Sequence, residues 1–253
     1  LSSKFIEDNI GNQEYPEILR NTPSIYVTKQ GGGFGDARIN VRGFDQTNVA
    51  VMINGIPVND MENGRVYWSN WAGLSDVTSK LQVQRGLGAS KLAVPSVGGS
   101  INIVTNAADF EKGGSASTTI GNDGYTKYAV ALSSGEMSNG LATTFQFTHT
   151  RGDGYVDGTK FRAYSYFLST NYKINEKQSI SGTILGAPQW HHQRYGYGSY
   201  DNLHLSDYSD DATHGRGIKF NHTWGTLDGE EFNFVKCDGA EIVPGEGSKQ
   251  REM

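Results

Sequence analysis

The sequence predicts a small mixed α+β domain, a short sheet with short helices, followed by antiparallel β-strands of an incomplete transmembrane β-barrel. Three observations carry this. Between residues 31 and 105, short apolar runs are broken by glycine-rich turns, and no helical period runs through them. From residue 113 onward, segments alternate large apolar or aromatic residues with small polar ones. The composition agrees: 33 Gly stand against 6 Pro, with 13 Tyr, 11 Phe and 4 Trp, a mixture suited to strands joined by many turns.

The chain has 253 residues, enough for one or two domains. Its net charge of −5 argues against a nucleic-acid binder, which would carry a basic face. A single cysteine, Cys237, excludes an internal disulfide and a cysteine zinc site. No run approaches the ~18 apolar residues of a spanning helix. A barrel needs only alternating segments of roughly 10 residues, so a mean hydropathy of −0.51 is compatible with one. The chain opens at Leu1 without an initiator Met or a signal peptide, so the natural N-terminus is expected to be missing or processed away.

In chain order, PEILR at 16–20 reads as one short helix with Pro16 in its first turn, ended by Asn21 and Pro23. SIYVTK at 24–29 alternates as a strand, and so does ARINV at 37–41, with Ile39 and Val41 on one face. The glycine-rich segment 31–35 forms an apex between them. The run at 49–58 is broken by Asn54-Gly55, a strong hairpin signal. Residues 60–73 have no clean period. Strands follow at 80–84 and 100–105.

Composition shifts at 107–114, and the strands that follow have sharply divided faces. In 126–134, Tyr128, Val130 and Leu132 oppose Lys127, Ala129, Ala131 and Ser133. In 141–150, Leu141, Phe145 and Phe147 oppose Ala142, Thr144, Gln146 and Thr148. In 161–172, Tyr164, Tyr166, Leu168 and Tyr172 oppose small and polar residues, with Phe167 as an exception. Such faces fit a wall between lipid and a wet interior, although a soluble β-sandwich also alternates. From the third connection on, long and short connections alternate, as in an outer-membrane barrel. Residues 1–108 are therefore expected to form the first domain and 109–253 the N-terminal part of a barrel. That part has about five or six strands, a long outer loop at 187–215, a returning strand at 216–224 and a polar tail at 235–253.

INVRGF at 39–44, VMINGIPV at 51–58 and LQVQRGLGASKLAVPSVGGSINIVT at 81–105, preceded by PEILRNTPSIYV at 16–27, resemble the plug domain of TonB-dependent outer-membrane receptors. The motifs stand in the family's order. The resemblance implies a plug, on the periplasmic side of the outer membrane of a Gram-negative cell, inside a barrel of about 22 strands. It implies energy-coupled uptake of a scarce nutrient, driven through the TonB protein of an inner-membrane complex. The ligand would be an iron chelate, a vitamin or a glycan, with the iron chelate preferred. No cofactor is implied, and outer-membrane lipid is the surrounding medium. Too few strands are visible to close a barrel, so the chain is expected to be a fragment unable to transport alone. A truncated or frame-shifted gene is one explanation if the tail after residue 234 is not native.

The resemblance also supplies candidate sites. Arg42 and Arg85, beside glycines at strand ends, would pair with carboxylates of the barrel wall. Three apical loops, at 31–36, 44–47 and 61–71, would face the ligand, making Phe34, Asp45, Gln46, Tyr67, Trp68, Asn70 and Trp71 candidate contacts. Packing against the wall is the competing role for Trp68 and Trp71. In the third outer loop the candidates are Trp190, His192, Arg194 and Tyr195. His191-His192 is a poor metal pair, because neighbours on a strand point apart, and Asp201, Asp207, Asp210 and Asp211 lack a calcium-loop pattern. No metal site is expected. Neither GxxxxGK[ST] nor a Gly-x-Ser-x-Gly elbow occurs, so an enzyme is not expected. The rival reading is a soluble or surface β-rich module that binds carbohydrate or protein.

Overall fold

The computed structural model describes residues 1–253 except 12, 30–33, 36, 87–93, 193, 195–216, 222–223, 228–229, 234–242 and 245–253. An α-helix, α1 (Ser3–Ile10), opens the chain. Ser2 accepts from the Phe5 amide as its cap, and Ile6 and Ile10, one turn apart, are the buried pair. This helix was not expected. The expected PEILR helix is a 3₁₀ helix, Tyr15–Asn21, with Pro at its start. Glu14 and Glu17 close a reciprocal capping box there. The buried Glu17 carboxylate also meets Arg20 at 2.5 Å and Lys29 at 3.3 Å.

β1 (Ile25–Lys29) and β2 (Ala37–Val41) pair antiparallel, burying Ile25 and Val27 against Ile39 and Val41. A four-stranded mixed sheet follows, in the order β4 (Ile56–Pro57), β3 (Val49–Ile53), β6 (Gly99–Val104), β5 (Lys80–Arg85). β3 and β6 are parallel, and the other pairs are antiparallel. Asn54 and Gly55 make the expected tight turn with φ of 51° and 82°. Asn59 then accepts from the Val51 amide at 2.8 Å and donates to the Val49 carbonyl at 3.0 Å, continuing the β3 edge where β4 is too short.

A separate sheet is an antiparallel meander of β7 (Gly113–Ile120), β8 (Thr126–Ser133), β9 (Leu141–Gly152), β10 (Phe161–Asn175) and β11 (Gln178–Gly186). β12 (Gln189–His191) continues the β11 edge on β10. Pro188 has no N–H to give the ladder, but its carbonyl accepts from the Tyr164 amide at 2.9 Å, so the register survives the break. The sheet thus runs past residue 187, where the long loop was expected to begin. Residues 217–219 form a 3₁₀ turn in place of the expected returning strand, and β13 (Trp224–Leu227) starts only at Trp224. β13 pairs with β14 (Glu230–Asn233) and β15 (Val243–Pro244). Of the expected polar tail, only 243–244 lie within the described residues. No helix among the described residues is long and apolar enough to cross a membrane.

The first domain and the meander bury opposite kinds of residue. The first domain has an aliphatic core containing Leu19, Ile39, Val51, Leu81, Ile101 and Ile103. The meander exposes its large side chains, including Val130, Phe145, Phe147 and Leu168, and buries Thr144, Gln146, Thr148 and Ser165 against the first domain. That inversion is wrong for a soluble sandwich, whose aromatic faces would pack on each other, and right for a wall with lipid outside. The expected fold class is borne out. Phe167 breaks the alternation because it joins the core of the first domain.

Candidate ligand site and plug–wall interface

At the end of the meander that carries the 153–160 connection, a cavity of about 630 Å³ opens between the meander and the 3₁₀ and apical segments of the first domain. We refer to this end as the loop end. Aromatic rings line the cavity from both sides. Tyr15, Phe34, Trp68 and Trp71 come from the first domain, and Tyr125, Tyr155 and Phe161 from the wall. Phe34 stacks on Phe161 with centroids 4.7 Å apart, and Tyr125 tilts against Phe161 at 6.2 Å. Gly35, at φ 78°, lets the apical turn sit on Ser69, where a Cβ would collide. Polar groups at the rim include Glu14, Lys29, Asp123 and Arg194. Burial, and then the nearby Asp76 charge, push the Tyr125 hydroxyl up to about 12. Burial likewise raises Tyr15, whose hydroxyl bonds Thr78 at 3.1 Å.

The expected ligand contacts divide. Phe34, Trp71 and Arg194 line the cavity. Trp68 lines it too, but as a core residue, 4% exposed and stacked on Tyr15 at 5.8 Å, not as an apical side chain. Gln46 is also buried, and neither end of its amide is bonded among the described residues. Asp45 accepts from the Thr47 amide at 3.0 Å and caps a short turn. Tyr67 accepts from Asn63 at 2.9 Å, and Asn70 accepts from Gln189 of the wall at 3.0 Å. His192 is buried and its amide donates to the Lys160 carbonyl. Trp190 lies on the outward face of the meander with Arg162, its cross-strand partner, away from the cavity. Tyr195 lies outside the described residues. Tyr125, Tyr155 and Phe161 were missed. Tyr125 and Phe161 sit at strand ends, where alternation no longer assigns a face, and Tyr155 sits within the 153–160 connection.

Arg42 and Arg85 are exposed and meet no strand of the wall among the described residues. The Arg42 guanidinium lies on Gly86, and Arg85 reaches the Pro23 carbonyl at 3.5 Å. The contact is made instead by a carboxylate of the first domain, Asp76. It takes Lys127 Nζ at 2.7 Å, Thr148 Oγ1 at 3.2 Å and Gln146 Nε2 at 3.4 Å. Gln146 also donates to Thr148 and accepts from Ser165. Asp76 thereby gives the buried Gln146 and Thr148 partners across the interface, and Gln146 gives Ser165 one within the wall. Gly73, at φ 78°, brings the backbone so close to Ser165 that a Cβ would collide with it.

A mixed domain seated through polar contacts on the small-residue face of a sheet whose large residues face outward is the arrangement of a plug domain against strands of a barrel wall. Residues 1–100 match the TonB-dependent receptor plug domain. The chain is 26% identical over 195 residues to the vitamin B12 transporter BtuB of Vibrio cholerae, covering 74% of this chain and 32% of that protein. It is 29% identical over 183 residues to the ferric enterobactin receptor PirA of Pseudomonas aeruginosa, covering 66% and 23%. Among solved structures, the siderophore receptor PirA from Acinetobacter baumannii superposes with a TM-score of 0.58 at 14% identity, over 81% of this chain and 33% of that one. The ferric-catecholate import receptor Fiu from E. coli K12 gives 0.57 at 21% identity, over 76% and 26%. The chain thus spans a third or less of each of these four relatives. Those relatives are transporters and receptors, not enzymes.

Proposed function

We propose that this chain forms the plug and adjoining wall strands of an outer-membrane receptor for energy-coupled uptake of an iron chelate. The loop end would face outward and the opposite end the periplasm, with the TonB protein engaging a segment ahead of the plug. The cavity of about 630 Å³ shared by plug and wall carries this reading. Its size suits a ligand of several rings, and its walls combine aromatic faces with a few polar groups. Because plug and wall both contribute, a movement of the plug would change the site, coupling release to the pull from the periplasm.

A second reading, a vitamin such as a corrinoid, is favoured by the relatives named as vitamin B12 transporters. Uptake by cells whose receptor carries this chain, offered ferric siderophores or cobalamin, separates the two. Uptake of a ferric siderophore that falls on Phe34→Ala plus Trp71→Ala, and on collapse of the inner-membrane proton gradient, supports the first. Uptake of cobalamin alone supports the second. The rival soluble module requires the product to partition into the soluble fraction.

A further inference from the structure

We propose that Arg151 and Arg162 form a binding site for the phosphate of a lipid headgroup, specifically phosphorylated lipid A of the outer leaflet. The site follows from the register of the meander. Arg151 of β9 and Arg162 of β10 are direct cross-strand partners, and both are exposed on the outward face. Two like charges opposite each other destabilise a sheet, and neither has an ion-pair partner among the described residues. Neighbouring carboxylates are turned elsewhere. Asp123 takes Lys219 at 3.4 Å, and Asp153 lies against Gly124.

The rows below the arginines explain the arrangement. The first contains Tyr128, His149 and Tyr164; the next, Val130, Phe147 and Tyr166; the next, Leu132, Phe145 and Leu168. Tyr128 stacks on His149, His149 stacks on Tyr164 at 4.6 Å, and Tyr164 meets Trp190 edge-on at 6.1 Å. This aromatic row has the character of an interfacial girdle. From Tyr164 to Ile174 the outward face of β10 covers roughly 34 Å of strand, or roughly 24 Å of height at a tilt of about 45°. That matches an apolar band and places the two arginines at its upper edge, at headgroup depth. The Arg162 guanidinium lies 4.7 Å from the Trp190 ring, which fixes its plane while leaving its N–H groups free to point at an anion. Paired guanidiniums suit a phosphate by charge and by their forked donors. An anion between them converts the repulsion into two attractions.

The inference rests on the loop end being the outer end. The test is native mass spectrometry of the receptor carrying this chain, extracted from outer membranes and offered bisphosphorylated lipid A, its dephosphorylated form, or inorganic phosphate. We expect bisphosphorylated lipid A to be retained and the dephosphorylated form not. Arg151→Gln and Arg162→Gln should each lower retention about fivefold. Arg151→Lys/Arg162→Lys should keep most of it, and none of the variants should alter ligand uptake, which controls for folding. Equal retention by the double glutamine variant, equal retention of the dephosphorylated lipid, or inorganic phosphate binding as tightly as the lipid would overturn the proposal. A receptor found in the soluble fraction would instead overturn the membrane reading beneath it.

Discussion

Lys127 Nζ stands 2.7 Å from Asp76 Oδ1, and this pair ties the wall to the plug. The two side chains are 13% and 21% exposed, so solvent screens the pair only partly. Asp76→Asn should leave the lysine without its countercharge at a cost of about 1–3 kcal/mol, between the values for surface and buried pairs. Thermal unfolding in detergent measures the cost. Hydrogen exchange should quicken at Leu74–Val77, the turn that carries Asp76. A cycle with Lys127→Met should show coupling between the two positions.

Gly73→Ala should weaken the same contact by another route. Its φ of 78° is strained for alanine, by about 1–2 kcal/mol, and the new Cβ would meet Ser165. Adding Ser165→Gly should recover the part due to collision and leave the backbone part. Full recovery would place the whole effect in the clash.

Trp68 and Phe34 should separate stability from ligand recognition. Trp68→Ala removes a core ring and should cost about 3–5 kcal/mol. Phe34→Ala loses one stacking partner at the cavity, about 1 kcal/mol, and should weaken ligand binding with little change in melting temperature. Isothermal titration and melting of the two variants check the pair.

Alkaline titration tests the buried tyrosine. Tyr125 ionises near 10 when unfolded and about 12 in the folded protein. Its neutral form is favoured by folding, so its contribution is complete below about pH 10 and is lost as pH rises through about 12. Tyrosinate absorbance should show a late-titrating group that Tyr125→Phe removes. Asp76→Asn should make it titrate earlier, because the carboxylate adds to the shift. Tyr15 titrates later still.

Much of the fold was legible where chemistry is local. Asn54-Gly55 fixed a turn, and the alternation in 126–134, 141–150 and 161–172 fixed faces as well as strands. Even the exception at Phe167 was visible, although its place in the plug core was not. α1 left a fainter signal, Ser2 followed by Ile6 and Ile10, easily lost in a polar segment. The site was less legible for a different reason. Asp76 resembles an ordinary turn carboxylate, and its partner Lys127 lies 51 positions away. Trp68 and Trp71 sit in a stretch without a period, so nothing local tells the buried ring from the cavity ring. Arg42 and Arg85 were assigned by family pattern, while the wall strands described meet the plug through Asp76 and Asn70.

The central claim is that this meander is a membrane wall with its large residues toward lipid and its small polar ones toward the plug. Spin labels placed by cysteine substitution test it directly, with Cys237 changed to Ser. In lipid bilayers, labels at Phe145, Phe147 and Leu168 should collide freely with dissolved oxygen and be shielded from a water-soluble relaxing agent. Labels at Thr144, Thr148 and Ser165 should be immobilised against the plug and shielded from both. Labels at Phe145, Phe147 and Leu168 that are shielded from oxygen and immobilised would mean that the aromatic faces pack on each other, and would contradict the account.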